Sequence, residues 1–402
     1  MTKRLYYEFP QLKSCTAKTL KCVQTDAGYE ALTDQTVIYP EGGGQLCDKG
    51  SLSGQRILHA REDGEGVWHL IELPVDEGAE VVIEVDWGAR MDHSRQHTGE
   101  HILSGLAKSL FGAVNVGFHM AQAYSTIDFD LPLGPDELNK LEDAANMAAL
   151  DDAPVSVEIV TPQELEGMAL RKRAKELKGD IRIVRVGGVD SCTCCGTHCR
   201  TSGEAGQIKI TAYTKYKGGT RLWFVCGERA LDAHRRAHNA LQAIARRFSV
   251  KPEDAAAAVA RQGDELASAH RRLKQTAALL AEYEARNLMQ RAEAMKGVKL
   301  ITHISHTFTR SEFKLLCDAL MADGAAKVMM LFAVEGDAVY YCLSCTEGVR
   351  LSMQELCQAV NFALNGKGGG RATFAQGSAP KSAALEEAVE QLTQYAGRLL
   401  KS

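Results

Sequence analysis

Two pairs of residues in this chain have the types and the spacing of metal ligands. His97 and His101 stand four positions apart within a helical pattern, and Cys194 and His198 repeat that spacing later in the chain. Residues four apart on a helix project from one face, so the first pair can reach one ion together. Three imidazoles and one thiolate are ligands that zinc prefers, in its tetrahedral number. The sequence therefore predicts one shared Zn2+ site per chain.

Neighbouring cysteines leave other uses of this segment open. Cys192 and Cys195 form a Cys-x-x-Cys pair, which suits redox chemistry or a competing set of zinc ligands. A small zinc knuckle would combine this pair with Cys199 and His198.

The segment from His97 to His101 also fits the His-x-x-Glu-His pattern of inverted zinc peptidases, in which the glutamate activates a metal-bound water. That pattern needs a further ligand, commonly a distant Glu, whereas Cys194 and His198 are the better candidates here. A thiolate donates charge to zinc and makes bound water less acidic, which disfavours a peptidase. Glu100 itself is a candidate base, a partner for a histidine or an exposed helix residue.

Residues 1–88, the first predicted domain, have the pattern of a small β-barrel. Short β-branched segments such as 79–85 are bounded by Gly or Asp, as expected for strands. A glycine run at 42–44 interrupts them. Its residues can adopt positive φ or let another group approach the backbone, and a simple tight turn is the alternative.

Residues 89–227 are predicted to form an α+β domain that holds the zinc site. Residues 94–112 have the spacing of a helix, which Gly112 ends. The remaining predicted elements are a helix at 135–150, strands at 123–131, 155–160 and 181–186, and a basic helix at 163–177.

Residues 228–297 are predicted to be a helical arm that Pro252 divides into two helices. Apolar residues recur every seven positions, but the partner positions are only weakly apolar, so the pattern is that of a poor coiled coil packed on one face. The recurring residues are Val259, Leu266, Leu273 and Leu280.

Residues 298–402 are predicted to be a further α/β domain. Strands at 328–334 and 338–343 form a hairpin, helices follow near 352–364 and 383–400, and a glycine-rich run lies between the helices.

Composition excludes some classes of protein. The 402 residues carry a net charge of −4, which rules out a histone-like protein held on nucleic acid by bulk charge. The longest clean apolar run, 328–334, is far shorter than a membrane span. No targeting segment is evident, so a cytoplasmic protein without a membrane partner is expected.

The motifs resemble the editing module of alanyl-tRNA synthetase and its free-standing relatives, the AlaX family, in the long form. That family carries His-x-x-x-His and later Cys-x-x-x-His around one zinc. Its glycine motif, Glu-x-Gly-Gly-Gln-x-x-Asp-x-Gly, is matched at every fixed position from Glu41 to Gly50, and the cysteine motif departs only at Cys195. The run from Gly366 to Arg371 resembles the glycine-rich motif of the DHHA1-type domain that ends the synthetase.

The resemblance implies a hydrolase that removes serine or glycine wrongly attached to alanine tRNA. The zinc ligands would be His97, His101, Cys194 and His198. Gln45 and Glu100 are candidates for catalysis. The residues implied in substrate binding are Glu41, Gly42, Gly43, Gly44, Gln45, Thr98, Asp190 and Thr197. The amides of the glycine run would hold the 3′ adenosine or a developing oxyanion.

The implied partner is tRNA(Ala) mischarged with Ser or Gly, gripped through its phosphates. Candidate contacts are Arg171, Lys172 and Arg173, with Lys175 and Lys178, and the run Lys367, Gly368, Gly369, Gly370 and Arg371. The helical arm and the last domain are candidates for homodimer contacts.

Two other classes of function are open to the same sequence. A tRNA-binding module with a structural zinc would need the four ligands and no catalysis, since four protein ligands close a zinc site. A phosphoesterase of the DHH type is disfavoured, because no Asp-His-His tripeptide occurs in the chain.

Overall fold

The computed structural model describes residues 1–173, 181–322 and 324–401. The chain divides into two compact units of mixed α and β structure, Met1–Ile244 and Ala245–Ser402. The division falls inside the segment 228–297 that the sequence assigns to a helical arm. The division into four domains stays a prediction.

The first unit is built mainly of antiparallel strands with three long helices, the last of which continues past Ile244 into the second unit. Its elements in chain order are β1 Lys3–Arg4, α1 Leu5–Glu8, β2 Ser14–Thr25, β3 Gly28–Thr33, β4 Gln35–Thr36, β5 Gly50–Leu52, β6 Gln55–Ile57, β7 His59–Glu62, β8 Val67–Ile71, β9 Glu80–Val85, α2 Trp87–Phe111, β10 Asn115–Met120, β11 Ser125–Phe129, α3 Pro135–Leu150, β12 Val155–Val160, α4 Pro162–Glu166, β13 Ile181–Val186, β14 Asp190–Thr193, β15 Ile208–Tyr216, β16 Gly219–Cys226 and α5 Glu228–Phe248.

The N-terminal strands form a seven-stranded sheet in the order β6-β5-β9-β2-β3-β8-β7, which curls into a nearly closed barrel. The long strand β2 pairs with β9 through its first half and with β3 through its second half. In β9 exposed and buried residues alternate, so one face of the sheet points inward. The barrel core contains Ile38, Leu52, Ile71 and Ile83. The expected small barrel is thus present as a nearly closed sheet.

Helix α2 carries the first pair of predicted ligands. The Asp86 carboxylate caps its start by accepting from the Ala89 N–H at 3.0 Å, and Gly112 ends it in the left-handed conformation at φ 74°. Ile102 and Leu103 lie fully buried in a core shared with α3 and the sheet β10-β11-β16-β15. The helix predicted at 94–112 is confirmed, and packing holds its histidine face in place.

A three-stranded sheet, β12-β13-β14, brings the cysteine segment to α2. The predicted strands at 155–160 and 181–186 are confirmed, and they pair with each other antiparallel. Strand β14 begins at Asp190 and leads directly into the second pair of predicted ligands.

The basic helix predicted at 163–177 is wrong over most of its described length. Helix α4 ends at Glu166, where Gly167 caps it, and residues 167–173 continue without helix. Backbone bonds instead tie this stretch to β14, from the Arg171 N–H to the Ser191 carbonyl at 2.7 Å. The last residues of the predicted helix, 174–177, lie outside the described residues. The same holds for the candidate tRNA contacts Lys175 and Lys178.

The second unit is a mixed sheet with helices. Its elements are α6 Ala255–Arg291, β17 Glu293–Met295, β18 Val298–Ser305, α7 Arg310–Met321, β19 Lys327–Glu335, β20 Ala338–Cys345, α8 Met353–Leu364, β21 Lys367–Arg371, β22 Phe374–Pro380 and α9 Leu385–Lys401. The sheet order is β17-β18-β19-β20-β22-β21. The predicted hairpin of β19 and β20 and both predicted helices are confirmed.

The glycine-rich run between α8 and α9 is a strand and not a loop. Residues Lys367–Arg371 form β21, which pairs antiparallel with β22 at the edge of the sheet. All five residues are exposed. The side chains of Lys367 and Arg371 are therefore exposed at the edge of the sheet.

The break at Pro252 is confirmed, but the residues spaced by seven on α6 do not pack. Val259, Leu266, Leu273 and Leu280 are all exposed, with Leu273 61% exposed. The buried residues of α6 are alanines, of which Ala281 and Ala285 pack in one core with α7. The periodic apolar stripe is thus left uncovered within the second unit.

Within residues 1–173, 181–322 and 324–401, no helix combines the length and the apolar character that a membrane crossing requires.

Candidate metal centre

The four predicted zinc ligands meet at one point in the first unit. The donor atoms of His97, His101, Cys194 and His198 all lie within 4.8 Å of one another. The Cys194 Sγ lies 3.3 Å from the His97 Nε2 and 3.4 Å from the His198 Nε2. Helix α2 supplies two of these side chains, and the segment after β14 supplies the other two.

Each of the three imidazoles is held at its Nδ1 atom by another side chain. The His97 Nδ1 lies 2.7 Å from the Gln45 Oε1, and the His101 Nδ1 lies 2.9 Å from the Asp190 Oδ2. The His198 Nδ1 lies 3.4 Å from the Thr98 Oγ1. Partners of this kind fix a histidine tautomer and ring orientation and leave Nε2 for a metal. The donor set and its supports therefore fit a zinc ion.

Local charge favours a thiolate at the centre. Burial opposes ionisation of Cys194, but the surrounding histidines lower the pKa of its thiol well below the usual range. Burial lowers the pKa of His198 to about 3, so this ring stays neutral. A neutral imidazole and a thiolate are the forms that bind metal.

Asp190 is ionised, and both of its carboxylate oxygens accept hydrogen bonds. Burial opposes its ionisation, but the hydrogen bonds from His101 and Arg171 lower the pKa of its carboxyl to about 2. Burial likewise disfavours a charged His101, yet Cys192, Cys194 and Asp190 raise the pKa of that imidazole well above its usual value. A bound cation would have to displace the His101 proton, so binding would release protons.

The glycine run is a tight turn beside the centre. The Gly42 and Gln45 backbones bond to each other in both directions, at 3.1 and 2.9 Å, so the Gly42 amide is already used. Gly43 and Gly44 have φ of 60° and 83°. A Cβ on Gly44 would lie 2.6 Å from the Phe118 carbonyl oxygen, so only glycine fits there. Within the described residues, the amides of Gly43 and Gly44 have no protein acceptor.

Gln45 is fully engaged within the protein. Its Oε1 accepts from the His97 Nδ1–H and from the Thr197 N–H, and its Nε2 donates to the Thr197 Oγ1 at 2.9 Å. It is 1% exposed. Gly196 lies so close to this contact that a Cβ would meet the His97 ring at 2.0 Å. The side chain thus joins both halves of the centre.

The turn is anchored to α2 by a buried ion pair. The Asp48 carboxylate accepts from the Arg90 guanidinium and from the Tyr39 N–H, and both members of the pair are almost fully buried. The sequence shows Asp48 as part of a motif but offers no signal for Arg90 as its partner, since the two are far apart in the chain.

Glu100 is buried, so its prediction as an exposed helix residue is excluded. Its Oε1 accepts from the Ser104 hydroxyl and from the Asn115 amide, both at 2.6 Å, and its Oε2 lies 3.7 Å from the His101 Nε2.

The structure does not place Arg171 where it could grip a phosphate. Its side chain is 6% exposed and its guanidinium donates to Asp190. Lys172 and Arg173 are exposed, as expected for surface cations. Thr98 and Thr197 lie buried among the ligands, and Glu41 is exposed beside the turn. The cations of the run 367–371 belong to the second unit.

The other cysteines do not form a knuckle with His198. Among the described residues, two groups offer three or more convergent ligand atoms, and neither contains Cys195 or Cys199. Cys199 is buried, which raises the pKa of its thiol to about 12. Cys192 belongs to the second group, with His101 and Asp190.

Parts of the chain match two family models. Residues 297–398 match the DHHA1 domain, and residues 181–222 match the threonyl and alanyl tRNA synthetase second additional domain.

Similar proteins extend the match to nearly the whole chain. Alanyl-tRNA editing protein AlaX-L of Pyrococcus horikoshii is 29% identical over 98% of this chain and 99% of its own length. Alanyl-tRNA editing protein Aarsd1 of Mus musculus is 29% identical over 95% of this chain and 93% of its own. Alanine–tRNA ligase of Pyrococcus abyssi is 28% identical over 98% of this chain but only 43% of the ligase.

Proposed function

We propose that this chain, which resembles long-form alanyl-tRNA editing proteins of the AlaX type over nearly its whole length, hydrolyses the ester of mischarged alanine tRNA. The proposed substrates are Ser-tRNA(Ala) and Gly-tRNA(Ala), and the protein would act on them after their release from the synthetase. The names of the relatives support an alanyl-tRNA substrate, and the chemistry of the centre supports the reaction.

One observation carries the proposal: four donor atoms of the types that zinc prefers converge in a site whose imidazoles are already oriented by Gln45, Asp190 and Thr98. Orientation before binding lowers the entropic cost of assembling a metal site. A zinc ion bound here would polarise the ester carbonyl or shape the pocket around it.

Residues of the chain itself would supply hydrogen-bond donors to the substrate and hold the site in a fixed geometry. The free amides of Gly43 and Gly44 can donate to an oxygen that becomes negative during ester cleavage, as oxyanion-binding amides do. The Gln45 Oε1 accepts from the His97 ring, and its amide nitrogen donates to Thr197. Its role would therefore be to position His97. Glu100 accepts hydrogen bonds from Ser104 and Asn115, which hold its carboxylate in place beside His101.

A second, separate hydrolytic site is useful for an energetic reason. Serine differs from alanine by one hydroxyl, which a small apolar pocket rejects poorly. A second site that hydrogen-bonds the hydroxyl discriminates more strongly, because alanine leaves buried polar groups unpaired.

The tRNA backbone would be held by exposed cations. Lys172 and Arg173 are exposed, and the Lys172 carbonyl accepts from the Thr193 N–H, next to Cys194. Strand β21 presents Lys367 and Arg371 at an exposed sheet edge. Such cations neutralise phosphates and make binding sensitive to salt.

A second copy of the chain would cover the apolar stripe of α6. Its four members are exposed at intervals of seven residues, so they lie close to one line along the helix that the same line of a second copy could cover. A homodimer through α6 is therefore part of the proposal.

A second candidate function is a tRNA-binding module with a structural zinc. The closed set of four protein ligands favours it, because catalytic zinc sites usually keep one position open.

The deciding experiment measures deacylation of Ser-, Gly- and Ala-tRNA(Ala) by zinc-loaded wild type and by Cys194→Ala. We expect rapid loss of the seryl or glycyl ester, sparing of the alanyl ester, and a fall in kcat/KM of at least about 100-fold in the variant. Cys195→Ala, which changes the adjacent exposed cysteine, is the matched control and should keep wild-type rates. If zinc-loaded wild type binds tRNA but cleaves none of the esters, the binding module replaces the hydrolase.

A further inference from the structure

Arg171 lies in the metal centre although it begins a run of surface cations. Its guanidinium donates from Nε to the Asp190 Oδ1 at 2.6 Å and from Nη2 to the Asp190 Oδ2 at 3.0 Å. This is the bidentate fork that an arginine forms with a carboxylate, and a lysine cannot reproduce it.

The same carboxylate holds a metal ligand. The Asp190 Oδ2 lies 2.9 Å from the His101 Nδ1, and its side chain is 0% exposed. The torsion that orients a carboxylate is broad, so an aspartate alone sets its plane weakly. A fork from Arg171 fixes that plane, and the plane fixes the direction in which the His101 ring presents its other nitrogen.

Arg171 also balances buried negative charge. Its Nη2 lies 3.6 Å from the Glu100 Oε1 and 3.5 Å from the Cys192 Sγ. Glu100 and Asp190 are both buried, and buried carboxylates require a paired cation.

The position of the guanidinium explains why the second cluster would not take an ion of its own. His101, Asp190 and Cys192 offer three convergent ligand atoms. The guanidinium already contacts Asp190 and Cys192, so it supplies the positive charge that a second metal would bring.

We propose that Arg171 is a positioning residue of the metal centre, acting through the Asp190 carboxylate on the orientation of His101, and that it is not a tRNA contact. The inference deepens the proposed function and rests on it for the identity of the site. Its test measures metal and tRNA binding without deacylation, so the two can fail separately.

The test compares Arg171→Met, which removes charge and fork, with Arg171→Lys, which keeps the charge alone. Zn2+ affinity is measured by competition with a chelator, and ligand geometry by the visible absorption of the Co2+ form. Arg171→Met should lose about 10- to 100-fold in Zn2+ affinity and shift the Co2+ bands. Arg171→Lys should recover part of the affinity. Affinity for uncharged tRNA(Ala) should stay within about twofold of wild type.

Arg185→Met is the matched control. Arg185 lies on β13, where its guanidinium pairs with the exposed Glu158 carboxylate at 3.2 Å and donates to the Ser191 hydroxyl at 3.1 Å, next to Asp190 but without a bond to it in the described residues. The same chemical change there should leave Zn2+ affinity and the Co2+ spectrum unchanged.

A double-mutant cycle keeps the proposal falsifiable if Arg171→Met folds poorly. Asp190→Asn keeps the size of the side chain and an acceptor for His101. Because Arg171 acts through Asp190, Arg171→Lys should add little loss of Zn2+ affinity in the Asp190→Asn background. Full additivity would overturn the proposal. So would wild-type Zn2+ affinity in Arg171→Met together with weakened tRNA binding, which would make Arg171 a phosphate contact.

Discussion

At the scale of single residues, the centre depends on side chains that hold other side chains. Gln45, Asp190 and Thr98 each occupy one ring nitrogen of a predicted ligand. Gly196 allows the backbone to come close to the His97 ring, and Gly44 allows the turn to approach the Phe118 backbone. Replacing one of these three supporting side chains should therefore disturb the geometry of the site as much as replacing a substrate contact would.

Gly43 and Gly44 form a natural pair for testing the turn. Both have positive φ, but a Cβ at Gly43 meets open space, whereas one at Gly44 would collide with the Phe118 backbone. Gly43→Ala should lower the free energy of unfolding by about 1 kcal/mol, which is the cost of the left-handed conformation. Gly44→Ala should lower it by about 3 kcal/mol because the collision adds to that cost. Urea unfolding followed by circular dichroism measures both, and equal losses would contradict the geometry.

At the scale of elements, the barrel contains a buried histidine that should make it sensitive to acid. The His69 Nε2 accepts from the Thr36 hydroxyl at 2.9 Å, and its Nδ1–H donates to the Ala31 carbonyl at 3.2 Å. Burial lowers the pKa of His69 to about 4, from an ordinary value of 6.5. The unfolded chain binds this proton at a higher pH than the folded chain does.

The free energy of unfolding should therefore fall as the pH is lowered from about 6.5 to about 4, with this residue accounting for about 3 kcal/mol. Above pH 6.5 the imidazole is neutral in both states and contributes no pH dependence. His69→Asn should remove this part of the slope, even if it lowers stability at pH 7. Urea unfolding at several pH values tests the prediction, and an unchanged slope between pH 4 and 6.5 would contradict it.

At the scale of the whole molecule, α6 predicts how two copies would pair. Glu265 and Arg272 are exposed, and each immediately precedes an exposed leucine of the stripe, Leu266 and Leu273. They therefore flank the stripe on the same side. In an antiparallel pair whose twofold axis passes between these two residues, this side of the stripe would face the same side of the second copy. Glu265 of each chain would then meet Arg272 of the other.

Charge reversal tests this arrangement. Glu265→Arg or Arg272→Glu alone should raise the dimer dissociation constant about tenfold, since two symmetric pairs change from attraction to repulsion. The double variant should restore wild-type association, and a mixture of the two single variants should form heterodimers. Leu273→Lys should abolish association. Sedimentation equilibrium measures all of these, and a monomeric wild type at about 100 μM would refute the homodimer.

Much of the local structure and the chemistry could be predicted from sequence. Gly112, Pro135 and Pro252 mark helix ends because backbone conformation and capping act over a few residues. The four candidate ligands could be identified because imidazole and thiolate are metal donors wherever they lie, and the spacing of four places His97 and His101 on one face of α2.

Only the tertiary structure decided which polar residues face inward. Arg171 and Lys172 are adjacent and both basic, yet Asp190 draws the first into the centre and leaves the second in solvent. Glu100 is buried because Ser104 and Asn115 satisfy it. The glycine run at 367–371 is a strand because β22 pairs with it. Each outcome depends on partners that the chain brings together by folding, and no local pattern encodes them, since the free energy of a buried charge is set by its surroundings.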